Sequence, residues 1–339
     1  MNVEEKFNEG FRLYTEAGDA GDLEKAFALL TEAADEGHAL AQDILGNMYE
    51  NGDGAPLDIC KAVQLYEKSA KQECPPGMYD LALLLMDGHG IDRDESRAFS
   101  LVKRAVELAQ DPDHMFMLSV MYHHGTGVKA DENIATTLLM RAEKLGSIDA
   151  KANLGAMYLS GEGRVKDHKK AFQLLREAAD NDDCSALCNL ALMYENGLST
   201  KQDLEEAVSC YRKAAMLGYP PAFYHLGVLA GEGSIPVEDI DPVGLLKTAG
   251  ADGNIDALYK LGVMYYDGNG VDPDLEMSAQ YFRAGSEFEN PECMYNLGIM
   301  IIRGEANEEY EDEALDLIIA AADAGYGPAR ELLEKSEEQ

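Results

Sequence analysis

LGAMYLSGEGRVKDHKKAFQLLREA, residues Leu154 to Ala178, carries the fold within one segment. Leu154, Met157 and Tyr158 fall at i, i+3 and i+4, and Ala171, Leu174, Leu175 and Ala178 repeat that spacing. Each half therefore presents one apolar stripe of a 3.6-residue helix. Between them Gly161-Glu162-Gly163 lets the chain leave the first helix through positive φ without steric strain. Asp167 stands where a short acidic side chain caps the second helix and complements its dipole. Gly155 and Ala178 are small, so the two helices can approach closely. The segment reads helix A, glycine turn, helix B.

The same signature extends in both directions. A Leu followed by a small residue recurs at Leu45-Gly46, Leu81-Ala82, Leu118-Ser119, Leu154-Gly155, Leu190-Ala191, Leu226-Gly227, Leu261-Gly262 and Leu297-Gly298, in steps of 36, 37, 36, 36, 36, 35 and 36. A second anchor follows some 17 residues later at Ala62, Ala98, Ala135, Ala171, Ala207, Val243, Ala279 and Ala314, with an earlier copy at Lys25-Ala26. Gly-x-Gly turns lie between the anchors at Gly52, Gly88, Gly125, Gly161, Gly231 and Gly268, and an acidic cap follows at Asp58, Asp94, Asp131, Asp167, Asp203 and Asp274. One such unit cannot bury its stripes alone, so neighbours stack into a curved array with a concave inner face. The expectation is an all-α solenoid of nine helix-turn-helix units forming a single array over 1–339. Within it, 1–38 is the N-terminal capping repeat, 39–326 the repeats and 327–339 a C-terminal cap. Two units depart from the pattern. The seventh is shortened before its glycines and carries a Pro-containing stretch, Ser234 to Pro242, and the ninth replaces the turn with Gly304-Glu305-Ala306 and an acidic run.

Charge narrows the function classes. With 28 Lys and Arg against 63 Asp and Glu, the formal net charge is −35, a surface that repels phosphate backbones and anionic lipid headgroups. Neither nucleic acid nor a membrane surface is expected as a partner. A basic protein or peptide would be steered towards it, self-association would be opposed, and a monomer is expected. The plainer reading, a very soluble acidic surface, stands beside that one. Met1 to Phe11 lacks the basic and apolar regions of a signal peptide, no apolar run approaches a bilayer's thickness, and no Asn begins a glycosylation sequon. The expected location is cytoplasmic. The six cysteines, Cys60, Cys74, Cys184, Cys188, Cys210 and Cys293, have no recurring spacing and read as reduced, mostly buried small side chains.

The unit L-G-x-M-Y-x-x-G-x-G-V-x-x-D-x-x-K-A, as it stands in Leu154 to Ala178 and, one residue shorter, in Leu261 to Ala284, resembles the Sel-1-like repeat, a relative of the tetratricopeptide repeat with a longer glycine-bearing turn. The likeness covers roughly residues 3 to 326. It implies a right-handed α/α superhelix and the roles typical of the family: adaptors that assemble protein complexes, proteins of bacterial signalling and host interaction, and immunity proteins that neutralise a toxin. The family's cysteine-rich branch staples each unit with a Cys pair. Here those positions are Ala or Ser, so the secreted, disulfide-bonded subtype is not implied.

In such arrays helix A lines the concave side, and its residues outside the Leu-Gly-Met-Tyr core are the ones a ligand meets. The residues before each Leu anchor include Asn153, Asn189, His225, Lys260 and Asn296, and one position earlier stand Tyr224, Tyr259 and Tyr295. Asn amides can hold an extended peptide backbone, and Tyr rings give contact area at low entropic cost. The three Asn also resemble the peptide-binding Asn of tetratricopeptide repeats. The alternative is that the rings pack between helices and the amides bridge repeats.

No catalytic constellation is expected, and neither a cofactor nor a metal. Adjacent His123-His124 point about 100° apart on a helix and do not form a metal pair. The loop Asp267 to Glu276 has a calcium-like composition but misplaces its ligands and its glycine. The sequence thus supports a non-catalytic adaptor binding a peptide or protein on its concave face, with, as the other reading, an immunity or inhibitor protein that neutralises a basic toxin through its acidic surface.

Overall fold

The computed structural model describes residues 1–234, 241–306 and 313–337, and among them the secondary structure is nineteen helices and no strand. The chain divides into two compact units, Met1–Leu154 and Gly155–Gln339. The first contains α1 (Val3–Thr15), α2 (Ala20–Asp35), α3 (Ala39–Asn51), α4 (Ile59–Lys71), α5 (Pro75–Asp87), α6 (Glu95–Ala109), α7 (Pro112–His124) and α8 (Glu132–Leu145). The boundary falls inside α9 (Ile148–Ser160). The second unit continues with α10 (His168–Ala179), α11 (Cys184–Asn196), α12 (Leu204–Met216), α13 (Pro220–Gly231), α14 (Pro242–Ala251), α15 (Ile255–Asp267), α16 (Leu275–Glu287), α17 (Pro291–Ile302), α18 (Ala314–Asp323) and α19 (Gly327–Glu337). Odd-numbered helices through α17 are the A helices and their successors the B helices, which makes nine pairs followed by α19. The Pro-bearing stretch of the seventh repeat and the acidic run of the ninth fall largely outside the described residues.

The Leu-small anchor has a steric cause. A Cβ added at Gly46 would lie 2.6 Å from Tyr66 Cε1, one at Gly155 2.6 Å from Leu175 Cγ, and one at Gly262 2.6 Å from Phe282 Cε1. The small residue of helix A thus receives a bulky one from its own helix B, and Tyr66, Leu175 and Phe282 are all buried. Where that bulky residue is Tyr, its polar end must also be satisfied. Tyr66 Oη donates to Glu50 at 2.7 Å and Tyr211 Oη donates to Glu195 at 2.9 Å, each partner at the C-terminal end of its A helix. The second anchor, Ala62 to Ala314, is buried throughout.

The turns close as the acidic residues require. All six expected caps accept a backbone N–H of the first turn of their B helix, as Asp58 does from Lys61 and Asp274 from Met277. Each cap's own N–H also returns to a carbonyl near the end of helix A, for instance Asp131 to Tyr122 at 2.9 Å and Asp167 to Tyr158 at 3.0 Å. The glycines of the second to fifth units leave their helices at positive φ, Gly52 at +79° among them. The seventh unit differs. Gly231 remains helical as the last residue of α13, so the expected Gly231-Glu232-Gly233 turn uses only Gly233, at φ +69°. In the sixth, Ser199 takes the left-handed place at φ +62°. All six cysteines are free; Cys74, Cys188 and Cys293 are buried, whereas Cys60 is exposed.

Candidate protein-interaction face

Of the eight residues singled out from the sequence, Asn153 belongs to the first unit and the other seven to the second. Those seven occupy matching places on α11, α13, α15 and α17. Asn153 is exposed and donates its amide to the Asp149 carbonyl one turn back at 3.4 Å, and Asn296 does the same to Glu292 at 2.8 Å. One amide hydrogen is spent on orienting each side chain, which leaves the amide oxygen and the second hydrogen available. Asn189 is half-buried.

His225 and Lys260 have structural work. The His225 ring lies flat against Tyr211, with centroids 4.8 Å apart and planes 9° from parallel, and burial holds its imidazole below the usual range. It is therefore neutral at pH 7. Lys260 Nζ pairs with Glu232 at 2.6 Å.

The three tyrosines are half-buried, each packed on one side. Tyr224 meets the edge of His225 at 5.3 Å, Tyr259 tilts against Phe282 at 6.1 Å, and Tyr295 tilts against Tyr326 at 5.3 Å. Burial first, then a neighbouring carboxylate, raises the phenols of Tyr224 and Tyr259: Asp256 beside the former, Glu292 beside the latter. Each acid sits in the first turn of the following A helix. These carboxylates were missed in the sequence, although their signal is there as an acid 32 or 33 residues after each Tyr. The first unit repeats the arrangement once, with Tyr79 stacked on His114 at 4.5 Å and Asp113 next among the causes that raise its phenol after burial.

Such a face pairs neutral aromatic rings with negative charge. It offers hydrogen bonds and flat apolar contact to a peptide, and its carboxylates attract ammonium or guanidinium groups, which also bind ring faces. No cluster of three or more metal-ligating side chains occurs among the described residues, and His123 is exposed and paired with Glu132 at 2.7 Å. No helix among the described residues is long and apolar enough to cross a membrane.

Eight segments match the Sel1 repeat: residues 17–38, 39–74, 75–109, 112–147, 148–183, 184–219, 255–287 and 291–326. The chain belongs to the Sel1 repeat family. The α13–α14 pair, whose turn departs from the pattern, lies between the matched segments. A protective antigen of uropathogenic Escherichia coli with an SLR fold is similar at TM-score 0.70 and 25% identity, over 97% of this chain and 70% of that one. A Sel1 repeat protein from Oxalobacter formigenes is similar at TM-score 0.61 and 27% identity, over 90% of this chain and 89% of that one. Among curated proteins, chitin synthase regulatory factor 3 of Schizosaccharomyces pombe is 32% identical over 87 residues and an exopolysaccharide production negative regulator of Rhizobium leguminosarum 35% identical over 74. Those matches span 25% and 22% of this chain, and only 9% and 26% of the two relatives. Sel1 repeat proteins, like other tetratricopeptide-like arrays, generally mediate protein–protein interaction, and their scaffold is typically non-catalytic.

Proposed function

We propose that this Sel1 repeat protein is a non-catalytic adaptor that holds a Lys- or Arg-bearing peptide segment along the A helices of its second unit. The observation that carries this reading is the recurrence of Tyr beside a first-turn carboxylate, Tyr224 with Asp256 and Tyr259 with Glu292. The rings supply contact area, the carboxylates engage basic side chains, and the amides of Asn189 and Asn296 pair with the peptide backbone. His225 and Lys260 shape the face, through Tyr211 and Glu232, instead of gripping the ligand.

The test is affinity purification of full-length protein from cells, read by mass spectrometry, comparing wild type with Tyr259→Ala plus Glu292→Gln and with Asn189→Ala plus Asn296→Ala. Each double variant is expected to weaken capture of the same partner by about tenfold or more, as loss of a central aromatic or a charged pair does. Circular dichroism should stay unchanged. Undiminished capture by correctly folded variants would refute the site. Capture that ignores these residues yet collapses with added salt would favour an inhibitor acting through its net charge.

A further inference from the structure

Cations on this molecule are scarce, and many are occupied. Lys6, Arg97, Arg104, Lys213 and Arg283, for example, each meet a carboxylate within 2.9 Å. One stretch differs. The turn of the fifth unit and the start of α10 place Arg164, Lys166, Lys169 and Lys170 within seven residues, and none of the four forms an ion pair with a described residue. The single acid among them, Asp167, is spent on the helix cap, where it accepts the Lys170 backbone N–H at 3.0 Å. The stretch therefore carries 4 − 1 = +3 on a chain whose net charge is −35.

Tyr158 organises two of these cations. Lys170 Nζ donates to Tyr158 Oη at 2.8 Å, and the Arg164 guanidinium and the Lys170 ammonium each lie 4.6 Å from the ring centroid. Arg164 Nε is buried and has no hydrogen-bond partner. Tyr158 also lines a surface cavity of about 570 Å³, together with Lys166, Asp167, His168, Lys169 and Ser199. At its rim Val165 is 86% exposed.

A single residue distinguishes this place from the equivalent places in the second, third and fourth units. In the second, third and fourth units the second glycine of the turn closes onto the preceding B helix: a Cβ on Gly54, Gly90 or Gly127 would collide with Leu23, Ile59 or Glu95. In the sixth unit that position is Ser199, held in the left-handed region at φ +62°. A side chain here needs room next to His168 and Lys169, and the cavity is that room. Its hydroxyl adds a donor to a site lined by Lys166 and Lys169, in which the Asp167 carboxylate is held by the helix cap.

We propose that this cavity is a docking site for a short acidic peptide segment, whose carboxylates engage Arg164, Lys166, Lys169 and the Ser199 hydroxyl while an apolar side chain covers Val165. Charge complementarity selects the acid. Length selects a short segment: at physiological salt, charges interact over only about 8 Å, so a few carboxylates meet the basic patch alone. A long polyanion or an anionic membrane would also meet the surrounding acidic surface. The site differs from the A-helix face in the sign of its charge, so the two proposals stand or fall separately.

The experiment is a fluorescence-anisotropy titration of the full chain with a dye-labelled glutamate-rich peptide containing one leucine, at low and physiological salt. Saturable, salt-sensitive binding is expected, weakened about tenfold by Lys166→Glu with Lys169→Glu. Ser199→Gly, which suits the left-handed backbone, should weaken it severalfold while preserving the fold, and Tyr259→Ala should leave it unchanged. Absence of saturation at low salt, equal binding of the glutamine counterpart, or indifference to the lysine reversals would overturn the proposal. So would tighter binding of a single-stranded oligonucleotide or anionic vesicles, or self-association in sedimentation velocity that the reversals abolish, since the occupant would then be a polyanion or a second copy.

Discussion

Replacing Asp43 with Asn should stabilise the first unit, and increasingly so as the pH rises. Asp43 on α3 is only 4% exposed, and its Oδ1 has no hydrogen-bond partner. The titratable groups around it are Asp80 and Cys74 at α5, Tyr66 on α4 and Glu50 on its own helix. Burial first, then the Asp80 charge, pushes the Asp43 carboxyl from 3.8 up to about 8. Asp80 is also raised, chiefly by burial, but the Asn47 amide donates to it at 3.0 Å and favours its ionised form. Asp43 is accordingly the member that keeps its proton at neutral pH. Because the folded state binds this proton more tightly than the unfolded chain, the associated stability is complete below about pH 4 and is lost progressively as pH rises to about 8. The slope is about 1.4 kcal/mol per pH unit, or roughly 3 kcal/mol between pH 5 and pH 7. Asp43→Asn imitates the protonated form and removes that slope, so the difference from wild type should widen by that amount. Repeat arrays open locally, which makes hydrogen exchange of residues 39–51 and 75–87, corrected for intrinsic rates, the suitable assay. Asp80→Asn should reduce the effect without abolishing it, because burial outranks the partner's charge. Parallel loss of protection in wild type and Asp43→Asn across pH 5 to 8 would refute the assignment of the proton.

Two further predictions concern stability. Gly46→Ala puts a Cβ 2.6 Å from the buried Tyr66 ring and should cost about 1–3 kcal/mol by overpacking, read as a lower urea midpoint; an unchanged midpoint would mean that the ring can move aside. Asp131→Ala removes the acceptor for the Asn133 and Ile134 N–H groups, both at 3.1 Å. It should cost about 1 kcal/mol, Asp131→Asn much less, and hydrogen exchange at the start of α8 should distinguish the two.

What the sequence made legible is what repeats. Gly46, Gly155 and Gly262 each accept the bulk that their own helix B presents 20 residues later, so period, helix order and caps could be read from one chain. Features that arise once were hidden. Gly231 fits the turn pattern but stays helical in the shortened seventh unit, and Ser199 lies outside the glycine pattern yet occupies its left-handed place. Asp43 stands in a row that elsewhere holds Tyr79 or Tyr224, and only its contact with Asp80 shows that it is a buried acid. The candidate face was legible by position. The division of labour along it was not, since His225 and Lys260 are committed by Tyr211 and Glu232, residues 14 and 28 positions earlier in sequence yet adjacent in space.

Net charge illustrates the same limit. A value of −35 governs what approaches from a distance, but within a Debye length a partner responds to individual groups. Beside Tyr224 and Tyr259 those groups are Asp256 and Glu292, whereas at Tyr158 they are Arg164 and Lys170. The same aromatic residue type thus stands in opposite electrostatic settings within the second unit. Salt should weaken basic and acidic ligands alike at short range, but only the acidic ligand must first overcome repulsion from the whole chain. Its association rate should therefore be the slower at low ionic strength and gain as salt screens that repulsion, even while its complex dissociates faster.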